Sequence, residues 1–313
     1  MYVSRALAHN ARGYDCQVNS NEIARDQMSN KIDFGVSTWL WQSPFTSKSI
    51  ELFPKIKQLG YDLVEIPVED PLLIDAKEIK KALIDNDLKV SVCGAFGPTK
   101  DLTHNDSKIH RQCFDYLEQC FELCNIWGVD FLAGPMYSAV GKARMVSTEQ
   151  RKKEWELAVT NLQKVCTMAY AHDLSIALEP LNRFESDMVN TAEDVMRLVT
   201  DINHSSARVL LDGFHMTIEE KNIRDAINTV GDKLIHVQVS ENHRGIPGTG
   251  LTPWNDFKLG LDDINYSGGL VIESFTPEIK ELAAAVCIWK TMAKSQDEFA
   301  QQGLKFLKQT FND

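Results

Sequence analysis

From Ile32 onward, short runs of β-branched and apolar residues alternate with longer amphipathic stretches, and the alternation repeats eight times without a break. The runs lie near 32–38, 61–67, 88–95, 129–135, 174–180, 207–212, 234–240 and 269–274, and their length and composition predict strands. The stretches near 47–59, 74–86, 106–127, 149–172, 191–203, 219–230, 254–265 and 278–292 carry helical spacing, as does a last segment near 295–310. Eight strand-then-helix units in series predict an α/β protein with a parallel (β/α)₈ TIM barrel over residues 31–313 and an extra C-terminal helix packed outside it. A doubly wound open sheet is the alternative, but no G-x-G-x-x-G follows the first strand. Thr191 or Asn190 offers a helix start, while Gly60 and Gly128 stand at helix ends before strands two and four. Residues 1–30 are polar and aperiodic, with Met28 just ahead of the first strand run, and are expected to form a disordered N-terminal extension.

A chain of 313 residues with 43% hydrophobic content can bury a large core, and its formal charge of −11 argues against nucleic acid or an anionic membrane as partner. A small molecule is the expected partner, with a homo-oligomer left open. No apolar run approaches the roughly 20 residues that cross a bilayer, and a cytoplasmic protein is expected. The seven cysteines are scattered and show no C-x-x-C spacing; Cys113, Cys120 and Cys124 share one helical face, which reads as core packing of reduced thiols.

Three predicted strands close on an acid where their apolar run gives out. These are Ala177-Leu178-Glu179, Leu210-Leu211-Asp212 and Val271-Ile272-Glu273. On strands five, six and eight of a barrel, the three carboxylates converge at the C-terminal mouth. Held together they repel, and a divalent cation relieves the repulsion. Strand seven, Leu234-Ile235-His236-Val237-Gln238-Val239-Ser240, puts His236, Gln238 and Ser240 on one face by alternation, with Gln238 nearest the depth of a fourth ligand. Three carboxylates and an amide oxygen suit Mn²⁺ best, with Mg²⁺ and Co²⁺ as alternatives.

Longer motifs surround these acids: Glu179-Pro-Leu-Asn-Arg-Phe-Glu185 with Asn190-Thr191, Leu211-Asp-Gly-Phe-His-Met-Thr-Ile-Glu-Glu220, Ser240-Glu-Asn-His-Arg-Gly-Ile-Pro-Gly-Thr-Gly250 with Pro253-Trp254, and Val271-Ile-Glu-Ser-Phe275. In their order and content they resemble the xylose-isomerase-like TIM barrels, and most closely the ketose (D-tagatose and D-psicose) 3-epimerases. The resemblance implies that Glu179, Asp212 and Glu273 are metal ligands, that Glu179 and Glu273 double as the proton-transfer pair, and that Glu185, His215 and Arg244 hold the sugar. The chain departs at Gln238, where these epimerases have a metal-binding histidine.

The chemistry can also be argued from the residues. A carbon-bound proton beside a ketone becomes abstractable when a Lewis acid stabilises the enediolate oxygens, and two carboxylates on opposite faces could remove it from one side and return it to the other. His215, three residues after Asp212, can hydrogen-bond the carbonyl, and Arg244 brings a fixed cation to the same oxygens. Trp39, Trp41 and Phe45 after strand one and Trp254 after the glycine-rich loop are candidate apolar walls for a sugar, with Trp39 and Trp254 expected to touch it. Gly245, Gly248 and Gly250 suit a sharply turning loop that points Arg244 inward, and their spacing is not that of a phosphate loop. The expected activity is therefore a metal-dependent sugar epimerase or isomerase acting on an unphosphorylated keto-sugar. The alternatives are a lyase cleaving 3-oxo-glycosides at the same site and a sugar-binding homologue without catalysis. A barrel endonuclease acting at abasic sites lacks support, because the eight histidines form no cluster and the charge is negative.

Overall fold

The computed structural model describes residues 32–312, and the extension expected over residues 1–30 lies outside the described residues. Eight strands, β1 (Asp33–Ser37), β2 (Leu63–Val68), β3 (Lys89–Gly94), β4 (Phe131–Gly134), β5 (Ser175–Leu178), β6 (Ala207–Asp212), β7 (Leu234–Val239) and β8 (Gly269–Ile272), form one closed barrel in chain order. Every pairing is parallel, and closure sets Phe34 opposite Leu270 and Val36 opposite Ile272. The strands are apolar because helices cover the outer face while side chains fill the inner one.

The covering helices are α1 (Phe53–Leu59), α2 (Ala76–Asp85), α3 (Ser107–Trp127), α4 (Thr148–Ala171), α5 (Ala192–Ile202), α6 (Gly213–Glu219), α7 (Ile223–Val230), α8 (Trp254–Asp263), α9 (Lys280–Ala285) and α10 (Gln296–Phe311). Helix α3 turns Cys113, Cys120 and Cys124 into the core, as the spacing predicts. Thr191, rather than Asn190, caps α5 through a capping box in which its side chain accepts from Asp194 N and the Asp194 carboxylate accepts from Thr191 N. The expected extra helix is α10; it buries Phe299, Ala300, Leu304 and Leu307, and fully buried Tyr61 donates to the Ala300 carbonyl at 2.8 Å. No described helix is long and apolar enough to cross a membrane.

Three helical stretches differ from the sequence expectation, each for a local reason. The first, 47–59, is a 3₁₀ turn (Ser47–Leu52) followed by α1, which begins anew around Pro54, a residue with no N–H to continue a ladder. The stretch 219–230 begins at the last residue of α6 and is otherwise α7, because the Asn222 side chain accepts from Asp225 N at 2.9 Å and starts a fresh helix. Helix α9 ends at Ala285, well short of residue 292, and Cys287 lies in the left-handed region (φ 58°) just beyond it.

Candidate active site

Glu179 and Glu273 each follow a strand by one residue and Asp212 ends β6, so all three reach the C-terminal mouth, and all three are buried. The same barrel end receives Arg244 from the loop between β7 and α8. Glu241 organises that loop: its carboxylate accepts from Thr252 N (2.7 Å), Gly248 N (2.8 Å) and Trp254 Nε1 (3.1 Å). Gly248 has a φ of 85°, and a Cβ there would sit 2.3 Å from the Phe306 ring, so only glycine fits. Arg244 itself is held at φ 61°, an unfavourable conformation fixed by the Ser274 hydroxyl donating to its carbonyl (2.7 Å) and by its own N–H donating to the Glu241 carbonyl (2.8 Å).

That conformation drives the guanidinium into the acids. Nη1 lies 2.6 Å from Asp212 Oδ2 and 3.0 Å from Glu273 Oε2, while Nη2 lies 3.3 Å from His215 Nε2. The planar fork also stacks over Phe214, 4.1 Å from its ring centre. Burial works against its charge, but the neighbouring carboxylates of Asp212 and Glu273 outweigh it and hold Arg244 firmly protonated.

His215 is oriented by Asn182, whose backbone N–H (3.1 Å) and side-chain amide (2.8 Å) both face Nδ1. Nδ1 is therefore the acceptor, and a neutral ring carries its hydrogen on Nε2, which lies 3.5 Å from Glu179 Oε1 and 3.7 Å from Asp212 Oδ2. Burial favours that neutral form by pushing the imidazole below its ordinary value. With Arg244 Nη2 beside it, Nε2–H gives the site two converging donors for a substrate oxygen. Asn182 Nδ2 also donates to Glu185 Oε1 at 2.8 Å, tying that carboxylate to the same cavity wall.

The carboxylates are strongly perturbed. Burial, reinforced by Glu273 and Asp212, raises Glu179 well above the usual carboxylate range; burial raises Glu273 to about 8 despite the opposing Arg244. An acid raised to about 8, as Glu273 is, can exchange protons near neutrality.

A cavity of about 230 Å³ opens from this cluster. Glu179, Glu185, His215, Arg244 and Glu273 line it, and Phe96, Pro135, Val140, Leu282 and Val286 are among its apolar walls. Trp39 lines it too: its Nε1 donates to Glu69 Oε1 at 2.9 Å, and its ring packs against Phe275 at 5.5 Å. Trp254 does not line this cavity, contrary to the expectation of a second aromatic wall. Its Nε1 is spent on Glu241, and its ring packs on Phe306 (5.2 Å) and Phe311 beneath the loop. The segment after β3 is pinned, since buried Asp101 pairs with Lys142 Nζ at 2.8 Å and accepts from Thr103.

Glu179, Asp212 and His215 each offer an atom within 4.8 Å of the others, and Glu273 joins the cluster through Arg244. Gln238 is fully buried on the inner face of β7 with its amide nitrogen toward Glu273 (3.1 Å), and its Oε1 has no hydrogen-bond partner. A buried amide oxygen left without a partner, on a side chain whose nitrogen already serves two carboxylates, is a group that a hard divalent cation could use. The ring hydrogen on His215 Nε2 makes His215 a donor to substrate more than a ligand. Sequence reasoning passes over Glu65, a buried acid in the middle of β2 whose carboxylate accepts from Gln238 Nε2 at 2.8 Å; a lone acid inside the apolar run Leu63-Val-Glu-Ile is the signal. It also passes over Asn182 as an orienting group, although that residue lies inside the motif from Glu179 to Glu185.

Residues 53–310 match the family described as Xylose isomerase-like TIM barrel. The chain belongs to that family. Within it, the chain is 32% identical over 284 residues, 90% of its own length and 98% of the other's, to the "Probable ketose 3-epimerase" of Synechocystis sp.. The D-allulose 3-epimerase of Methylomonas sp., solved in complex with D-allulose, superposes with a TM-score of 0.83 at 28% identity, covering 90% of this chain and 98% of that one. The 3-dehydro-D-guloside 4-epimerase of Escherichia coli is 30% identical over 247 residues, 74% of this chain and 89% of its own. This xylose isomerase-like barrel thus stands among sugar epimerases, enzymes of the isomerase class.

Proposed function

We propose that this protein epimerises a keto-sugar at the carbon beside its carbonyl, by the 3-epimerase reaction named for its relatives. The observation that carries the reading is the placement of two buried carboxylates with raised proton affinity, Glu179 and Glu273, in one cavity with His215 and Arg244 between them. One carboxylate removes the proton, the C–H electron pair moves into a carbon–carbon double bond, and the carbonyl oxygen becomes an enediolate oxygen within reach of His215 Nε2–H and Arg244. The other carboxylic acid then returns a proton to the opposite face, and the carbon inverts. Their strands, β5 and β8, stand three places apart around the ring, which supports approach from different sides.

Glu179, Asp212, Glu273 and the Gln238 amide oxygen would hold a divalent ion, Mn²⁺ by preference, whose Lewis acidity would stabilise the developing negative charge. Glu185 and Trp39 bind the rest of the sugar. The reading is tested by incubating the protein with D-psicose (D-allulose) or L-ribulose and Mn²⁺, and separating the C3 epimers by chromatography. Formation of the epimer supports it; an unchanged substrate with a metal-loaded protein contradicts it.

A second reading replaces the free ketose by a 3-oxo-glycoside. It is favoured by the apolar residues of the cavity wall, among them Phe96, Val140, Leu282 and Val286, which match an aglycone better than a polyol tail. The same deprotonation would then give either an epimer or, by expulsion of the anomeric group, two products, and mass analysis of the mixture distinguishes them.

A further inference from the structure

Below the mouth, the barrel interior holds a polar group that the proposed reaction does not use. Glu65 is fully buried on β2. Its Oε2 accepts from His236 Nε2 at 2.6 Å and from Ser91 Oγ at 3.3 Å, and its Oε1 accepts from Gln238 Nε2 at 2.8 Å. The same Gln238 nitrogen lies 3.1 Å from Glu273 Oε1. Both amide hydrogens are therefore directed at carboxylates, and the amide oxygen is the atom left without a partner.

This orientation follows from chemistry. Turning the amide over would set its oxygen against two carboxylate oxygens in a low-dielectric interior, replacing two hydrogen bonds by lone-pair repulsion. Glu273 alone would be a weak guide, because it also engages Arg244 and the proposed reaction changes its protonation. Glu65 is held from its other side by His236 and Ser91 and has no such second duty.

We propose that Glu65 is a positioning residue for the cation site: by taking one amide hydrogen of Gln238, it fixes the oxygen as the face that Gln238 offers to a divalent ion. The inference rests on the metal-dependent reading given above. A ligating imidazole works in the same way when a carboxylate outside the ligand set holds its other nitrogen, so Glu65 lets a neutral amide stand where an imidazole would serve. Without Glu65 only Glu273 still holds the amide nitrogen, so the amide turns over more readily and presents oxygen less consistently.

The test is equilibrium binding of Mn²⁺ to the full chain, with the absorption spectrum of the Co²⁺-loaded protein as a second readout. Parent, Glu65→Gln, Gln238→Leu and the double variant are compared. Glu65→Gln is expected to weaken Mn²⁺ binding by about tenfold to a hundredfold and to shift the Co²⁺ bands. The double variant is expected to bind no more weakly than Gln238→Leu alone, because Glu65 acts through that residue. Unchanged Mn²⁺ affinity in Glu65→Gln, or losses that simply add in the double variant, would overturn the assignment and leave the catalytic reading intact. Should Glu65→Gln fail to fold, Glu65→Asp keeps the charge while drawing the carboxylate back from Nε2, and carries the same expectation and the same refutation. A parent that binds neither Mn²⁺, Mg²⁺ nor Co²⁺ would remove the metal-dependent reading and this assignment together.

Discussion

The floor and the mouth of this barrel both bury carboxylates, yet they treat them in opposite ways. On the floor, Glu65 meets three donors, and no other acid lies among its partners. At the mouth, Glu179, Asp212 and Glu273 share a single guanidinium and one neutral imidazole, and their charge is compensated only in part. A satisfied buried carboxylate holds its neighbours in place, whereas a cluster short of positive charge is primed to take up a proton or a cation. The comparison teaches where to look for chemistry in such a barrel: at the acids whose partners do not suffice.

The largest difference between the regions should appear in turnover. Glu179→Gln and Glu273→Gln should each lower kcat by about 10²- to 10⁴-fold, since each removes a proton carrier, while circular dichroism should show an intact fold. Full turnover in either variant would remove the two-carboxylate scheme.

The next effect concerns stability. Arg244→Ala strips the mouth of its buried cation, and in metal-free protein this should cost about 3–5 kcal/mol in denaturant unfolding, because Asp212 and Glu273 lose their common partner. Added Mn²⁺ should recover most of that loss. An equal loss with and without Mn²⁺ would mean that Arg244 and the ion do not serve the same carboxylates.

A pH series sharpens the contrast further. Glu273 is raised from an ordinary value of 4.5 to about 8, so its protonated form favours the folded state. That contribution is complete below about 4.5 and is lost as pH rises through about 8. The metal-free protein should therefore melt progressively lower between pH 5 and pH 8.5, and Glu273→Gln should flatten that slope. A slope unchanged in the variant would place the titrating group elsewhere.

The smallest effect belongs to the floor. Ser91→Ala removes a 3.3 Å hydrogen bond from a carboxylate that keeps its two shorter ones, and should cost about 1 kcal/mol with no change in turnover. A large fall in turnover would show that Ser91 does more than add one weak hydrogen bond to Glu65.

Much of the mouth was legible in the sequence because strand ends and loop glycines are local signals. An apolar run closing on an acid places Glu179, Asp212 and Glu273 by register alone, and the glycines after β7 foretell the turn that aims Arg244. Trp254 misled because an aromatic beside an active-site loop can face either way, and only the tertiary contact with Glu241 and Phe306 settles which. Glu65 went unread for the converse reason: the run Leu63-Val-Glu-Ile marks a buried acid, but its significance lies in a bond to Gln238, 173 residues away, which that run does not encode. The orientation of the Gln238 amide is likewise a property of its neighbours.

The most direct measurement is solvent deuterium incorporation during turnover, followed by NMR of the recovered sugars. With a keto-sugar and Mn²⁺ in D₂O, the account requires deuterium at C3, the inverted carbon beside the carbonyl, in the epimeric product, and none at the other carbons. An epimer formed without solvent deuterium, or deuterium appearing undiminished with Glu179→Gln and Glu273→Gln, would contradict proton exchange by these two carboxylates.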